Sequence, residues 1–131
     1  MSNVDRVLSQ AQTLFSIGDF DKAELICNRL LNKNIHSPRI YNLLGLIKRK
    51  HGNVEGAIRK WADGSMLFPD NPTLHFNIGA VLTGHNSHKR EVQARDHLQT
   101  AVRLQPNWVS AIFLLGISYG RLGNTEEAAA R

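Results

Sequence analysis

Apolar residues return along this chain at helical intervals, in short paired runs divided by glycine or proline. Ile40, Tyr41, Leu44 and Ile47 follow one another at steps of one, three and three, and Leu74, Ile78, Val81 and Leu82 draw a similar stripe further on. Such spacing gathers apolar side chains on one side of an α-helix. Ala57, Ile58, Trp61 and Leu67 form a second kind of stripe, the partner of the first. Start signals precede the runs. Ser37 can cap a helix whose first position is Pro38, where the missing N–H costs nothing, and Asn71-Pro72 repeats that signal. No stretch alternates in the manner of a half-buried strand, so the pattern predicts an all-α chain.

The runs are copies of one frame. Gly18-Asp19-Phe20-Asp21-Lys22-Ala23, Gly52-Asn53-Val54-Glu55-Gly56-Ala57 and Gly123-Asn124-Thr125-Glu126-Glu127-Ala128 each place an alanine five residues after a glycine. Gly18 and Gly52 are 34 residues apart, as are the pairs Leu44-Gly45 and Ile78-Gly79. Pro69 and Pro106, like Gly79 and Gly116, are 37 apart, so the third copy carries three extra residues. They are assigned to the segment GHNSHKREVQA (84–94), where the turn glycine the frame expects is missing and Ala94 takes the alanine place. The copies then run 4–37, 38–71, 72–108 and, in part, 109–131, within one domain. A fixed period of this length marks a stacked-repeat architecture. A glycine between paired stripes can take positive φ and end the first helix of each hairpin. Small residues at Gly45, Gly79, Gly116, Ala23, Ala57, Ala94 and Ala128 mark places where paired helices cross closely.

Composition narrows the class. The 131 residues are 42% hydrophobic and 21% charged, ordinary for a globular domain. No apolar run approaches the ~20 residues of a membrane-spanning helix, and the polar start MSNVDRVLSQAQ is no secretory signal. The single cysteine, Cys27, excludes an internal disulfide framework and fits a reducing compartment, so a cytoplasmic location is expected. The formal charge of +5 permits an acidic partner without implying nucleic acid.

The motif set resembles the tetratricopeptide repeat over nearly the whole chain. The second copy supplies Tyr41, Leu44, Gly45, Gly52, Ala57, Trp61 and Pro69. The third supplies Ile78, Gly79, Leu82, Ala94, Leu98, Ala101 and Pro106, and the fourth Leu115, Gly116, Tyr119, Gly123 and Ala128. The first is more degenerate, with Gln10 and Ala11 at the Leu-Gly place and Ile35 for the proline; Lys48 departs from the family's Tyr or Leu. The resemblance implies a right-handed superhelical array of antiparallel helix pairs whose first helices line a concave groove. It places Leu8, Gln12 and Phe15 in that groove from the first copy, and Arg39, Asn42, Leu46, Arg49 and Lys50 from the second. Thr73, Phe76, Asn77, Ala80 and Thr83 follow from the third, and Phe113, Ile117 and Arg121 from the fourth. Such a lining, apolar with a basic rim, suits a peptide or protein segment of some acidic character. A non-catalytic protein-interaction scaffold is the function expected.

The run Lys48-Arg49-Lys50 admits two readings. Cations at a helix C-terminus are stabilised by its dipole by ~0.3–1 kcal/mol each, with no ligand needed. Yet segment 38–61 holds Arg39, Lys48, Arg49, Lys50, Arg59 and Lys60 against Glu55 alone. The run is read as both helix end and groove rim. Nucleic acid is not expected, because no recognised binding module accompanies so short a patch. Some family members grip a chaperone peptide's carboxylate with Lys, Asn and Arg side chains. Leu8 and Gln12 occupy two of those places here, and Thr73 and Asn77 two more, so that clamp is not expected.

Chemistry-bearing clusters are few. His85 and His88 have a metal-compatible spacing but no cysteine or third ligand nearby, and are read as surface-loop histidines. His75 and His97 lack an accompanying acid and nucleophile. Cys27 falls on a packing position, Trp61 is expected at the interface between repeats, and Trp108 is expected to be partly exposed and available to a partner. No phosphate loop, nucleotide fingerprint or catalytic carboxylate pair is found, so neither enzyme activity nor a cofactor or metal is expected. The fourth copy stops about two turns into its second helix. Stacked repeats expose an apolar side until something covers it. An array continuing past Arg131, or self-association through the uncapped last repeat, is therefore expected. By family analogy, the alternative function is the N-terminal docking or dimerisation module of a larger bacterial transferase or oxygenase.

Overall fold

The computed structural model describes residues 2–84 and 87–130, with side chains to residue 124. Its described residues form seven helices: α1 (Asn3–Ser16), α2 (Phe20–Asn32), α3 (Pro38–Lys50), α4 (Val54–Leu67), α5 (Pro72–Leu82), α6 (His88–Leu104) and α7 (Val109–Ala130). They divide into two compact units at Phe68/Pro69.

Local chemistry sets the helix starts. Ser2, Asp19, Ser37, Asn53, Asn71 and Ser87 each accept a backbone N–H two or three residues on, capping α1 to α6 in turn. Each cap satisfies a donor that the first helical turn leaves unpaired, an effect of ~1 kcal/mol. Gly18 and Gly52 take φ of +87° and +78° between the helices of the first two pairs. Residues with a Cβ adopt that conformation only at a cost.

In the first unit, α1, α2 and α3 share a core built on Leu8, Ala11, Cys27, Ile40, Leu44 and Ile47, and α4 packs on α3. Trp61 is fully buried in this unit and lies against Gly45. It therefore fills the crossing inside the α3/α4 hairpin, whereas the sequence placed it between repeats. An indole needs that much room, and only a residue without Cβ provides it.

In the second unit α5 pairs with α6, and α6 with α7. Leu98 of α6 covers Gly79 of α5, where a Cβ would lie 2.5 Å from Leu98 Cγ. Three expectations change here. Gly84 has φ +97° and ends α5, so the third copy does possess a turn glycine. The extra residues do not enlarge a loop alone: α6 has 17 residues against 14 in α4, an added turn at its start that brings in Glu91. Finally, Gly123-Asn124 makes no turn, since α7 runs through both as one helix of 22 residues. A helical glycine costs only ~1 kcal/mol relative to alanine, and the continuing helix keeps its backbone hydrogen bonds in series.

Candidate functional site

The face of α3 away from the core carries Arg39, Asn42, Leu46, Arg49 and Lys50. Their spacings of three, four, three and one place them on one side of the helix. Ile40, Leu43, Leu44 and Ile47 are buried on the other side. Asn42 and Leu46 are half-buried, while Arg39, Arg49 and Lys50 are exposed. Arg39 approaches Asp5 of α1 at 3.9 Å, and Lys48 approaches Glu24 of α2 at 4.0 Å. Among the described residues Arg49 and Lys50 make no ion pair. The backbone of α3 is held by Trp61, whose Nε1–H donates to the Asn42 carbonyl oxygen at 3.2 Å. A rigid helix thus presents two unpaired cations beside a partly apolar strip.

On α1, Gln12 is exposed and Phe15 half-buried. Phe15 packs on Phe20 at 5.3 Å between ring centroids, and Phe20 meets His51 edge-on at 5.7 Å. Leu8, placed in the groove from sequence, is 3% exposed and belongs to the core. Its position on α1 faces the α2 and α3 side chains that it covers.

In the second unit Thr73, Phe76 and Asn77 are half-buried on α5. Phe76 stacks on Trp108 at 4.3 Å, so Trp108 is half-buried and engaged within its own unit. Phe113 and Ile117 of α7 are 68% and 37% exposed. Arg121 is engaged in an internal ion pair: its Nε–H donates to Glu91 Oε1 at 2.7 Å. The same oxygen accepts the Gly84 N–H at 2.9 Å, and Ser118 Oγ–H donates to the Glu91 carbonyl oxygen at 3.3 Å. Glu91, 2% exposed, joins the end of α5 to α6 and α7. Sequence reasoning missed it, because its partners Gly84, Ser118 and Arg121 lie on other elements, Arg121 thirty positions away.

The comparisons with known proteins bear on the fold. No family model matches the chain, and no curated protein does. It is similar in structure to the type III secretion chaperone SycD of Yersinia enterocolitica, solved in complex with a peptide of the translocator YopD. Identity is 18% over 98% of this chain and 97% of that one, with a TM-score of 0.72. PcrH of Pseudomonas aeruginosa, in complex with the chaperone-binding region of PopB, is 17% identical over 93% of this chain and 98% of that one, TM-score 0.69. TTC0263, a thermophilic tetratricopeptide-repeat protein of Thermus thermophilus, is 20% identical over 96% and 69% of the two chains, TM-score 0.71. The chain has the tetratricopeptide-repeat fold.

In that fold Cys27 is a packing residue, fully buried, with its thiol pushed up to about 11 by burial and by nearby Glu24. His75 and His97 meet across α5 and α6, Nδ1 to Nδ1 at 3.1 Å, and His75 Nε2 lies 2.9 Å from the Pro69 carbonyl oxygen. A carbonyl can only accept, so His75 carries its proton on Nε2 and its Nδ1 accepts from His97 Nδ1–H. Burial, then the neighbouring His75, lower the His97 pKa, against an opposing effect of Asp96. His88 is the exposed first residue of α6, and His85 lies outside the described residues. Among the described residues no three His, Cys, Asp or Glu side chains gather to hold a metal, and no helix is long and apolar enough to cross a membrane.

Proposed function

We propose that this tetratricopeptide-repeat chain is a non-catalytic protein-interaction scaffold whose first-helix faces take a peptide or protein segment of acidic character. The observation that carries the reading is the unpaired Arg49/Lys50 couple on the α3 face, beside half-buried Asn42 and Leu46. Two exposed cations with no internal partner attract carboxylates from solution, and an apolar strip beside them rewards burial of an aliphatic or aromatic side chain. Arg39 lies on the same face, and Gln12 and Phe15 of α1 belong to the proposed surface. Thr73, Phe76, Asn77, Phe113 and Arg121 are its proposed counterparts in the second unit, where Phe113 is the most exposed. SycD and PcrH were each solved with a translocator segment, which supports a peptide-binding role for this fold here. Titration of a fluorescent acidic peptide against wild type and Arg49→Glu/Lys50→Glu tests the reading. The variant is expected to bind at least about tenfold more weakly; unchanged affinity would reduce the run to a helix end.

We also propose self-association through α7. Val109, Ile112, Phe113 and Tyr119 leave it with an exposed apolar side. Gly116 meets nothing within 4 Å, whereas Gly45 and Gly79 lie under Trp61 and Leu98. A concentration-dependent rise in sedimentation mass, abolished by Phe113→Ser, is expected; a monomer at every concentration would refute it.

A further inference from the structure

A second surface lies on the opposite side of α1 from Gln12. Two adjoining cavities of about 530 and 360 Å³ run between α1 and α2 and share Gln10 and Ile26 in their walls. Together they form one trough. Its apolar walls are Val4, Val7, Leu14, Ile26, Leu30 and Ile35. Leu30 is buried and the rest half-buried, all of them seated on the core of the first unit. Along α1 the lining extends from Asn3 to Leu14, about 16 Å at the rise of an α-helix. That length matches roughly three turns of a docked helix.

The rim is of one sign. Arg6 stands on the α1 side, Arg29 and Lys33 on the α2 side, and no Asp or Glu lines either cavity. All three cations are exposed, and none makes an ion pair among the described residues. The nearest acidic residue in sequence, Asp5, approaches Arg39 instead. Lys33 also closes the C-terminal end of α2, which leaves it near that helix's carbonyls but unpaired with a carboxylate.

From this arrangement we infer that the α1/α2 trough is a docking site for an amphipathic helix of a partner protein, with acidic residues flanking its apolar stripe. An apolar groove about three turns long between two helices accepts side chains at i, i+3, i+4 and i+7 of a third helix. The unpaired cations on both banks then meet carboxylates on the two flanks, which orients the helix and hastens encounter. A two-fold pairing of this face with itself would set Arg6, Arg29 and Lys33 against their own copies. Charge thus favours an acidic partner over a second copy of this basic chain. The trough is separate from the α3 face, so the inference does not rest on the reading above.

The test uses two labelled peptides of about 14 residues, alike in a leucine stripe at helical spacing. One carries glutamates on its flanks, the other lysines. Fluorescence anisotropy is read for wild type, Arg29→Glu/Lys33→Glu and the charge-matched control Arg59→Glu/Arg103→Glu. The Glu peptide is expected to bind wild type, to lose at least about tenfold in affinity with Arg29→Glu/Lys33→Glu, and to stay within about twofold with Arg59→Glu/Arg103→Glu, whose exposed side chains line neither cavity. The Lys peptide is expected to bind the rim variant better than wild type. These substitutions lie on exposed positions, so circular dichroism should show an intact fold. No binding of the Glu peptide to wild type, or a loss with Arg59→Glu/Arg103→Glu as large as with Arg29→Glu/Lys33→Glu, overturns the inference. Self-association that Arg29→Glu/Lys33→Glu abolishes would assign the trough to a second copy and overturn it too.

Discussion

The indole of Trp61 occupies the space that a side chain at position 45 would need, and its Nε1–H is bonded to the Asn42 carbonyl one turn earlier on α3. A residue of the second helix in the pair thereby fixes the helix that bears Arg49 and Lys50. Gly45→Ala drives a methyl into that indole. Overpacking of this kind costs about 1–3 kcal/mol. Gly116 holds the equivalent place in α7 but has open space around it. Gly116→Ala should stabilise by up to about 1 kcal/mol through helix propensity. Opposite shifts of the urea midpoint for the two variants are expected, and shifts of the same sign would contradict this packing.

The Glu91–Arg121 pair should respond unequally to removal of its partners. Arg121→Ala leaves a carboxylate that is 2% exposed without its cation, and breaking a buried pair in this way costs about 3 kcal/mol or more. Glu91→Gln still accepts the Gly84 N–H, and the Arg121 side chain, 39% exposed, can turn to water. Its cost should be about 1–2 kcal/mol. Denaturant unfolding of both variants checks the order, and a more harmful Glu91→Gln would reverse it.

Acid should destabilise the protein through His97. Its folded pKa lies below the ordinary value of 6.5 because burial and His75 disfavour the charged ring. As pH falls through 6.5, the unfolded chain takes up a proton that the folded chain refuses. Stability therefore declines with falling pH until the lowered folded value is passed. Thermal unfolding followed from pH 8 to 5 should show this slope, shallower in His97→Gln. A slope unchanged by the substitution would remove His97 as its source.

Cys27 should resist thiol reagents in the native state. It is fully buried and its thiol is raised to about 11, so little thiolate is available. Labelling with a chromogenic disulfide is expected to be slow in buffer and rapid in urea. Immediate reaction in buffer would contradict its buried place.

Much of the fold was legible because its signals are local. Ser37-Pro38 and Asn71-Pro72 begin α3 and α5 as read, and the α3 stripe already separated Ile40, Leu44 and Ile47 from Arg39, Asn42 and Leu46. What failed depends on partners distant in sequence. Leu8 looks like any aliphatic on an amphipathic helix until α2 and α3 close over it. Gly123-Asn124 carries the same turn letters as Gly52-Asn53, yet α7 continues through it; a local turn preference competes with the unbroken hydrogen bonding of a helix. Glu91 and Arg121, thirty positions apart, could not be paired before the added turn of α6 was known. Neither was the α1/α2 trough apparent, since it exists only where Val4 and Val7 of α1 meet Ile26 of α2.

Chemical-shift mapping by NMR, with an acidic peptide added to isotope-labelled protein, tests the proposed peptide-binding face most directly. Progressive shifts of the amides of Asn42, Leu46, Arg49 and Lys50 on α3 are the predicted result, with Ile40 and Leu43 on the buried side much less affected. Saturating peptide that leaves these α3 amides unmoved would contradict the account.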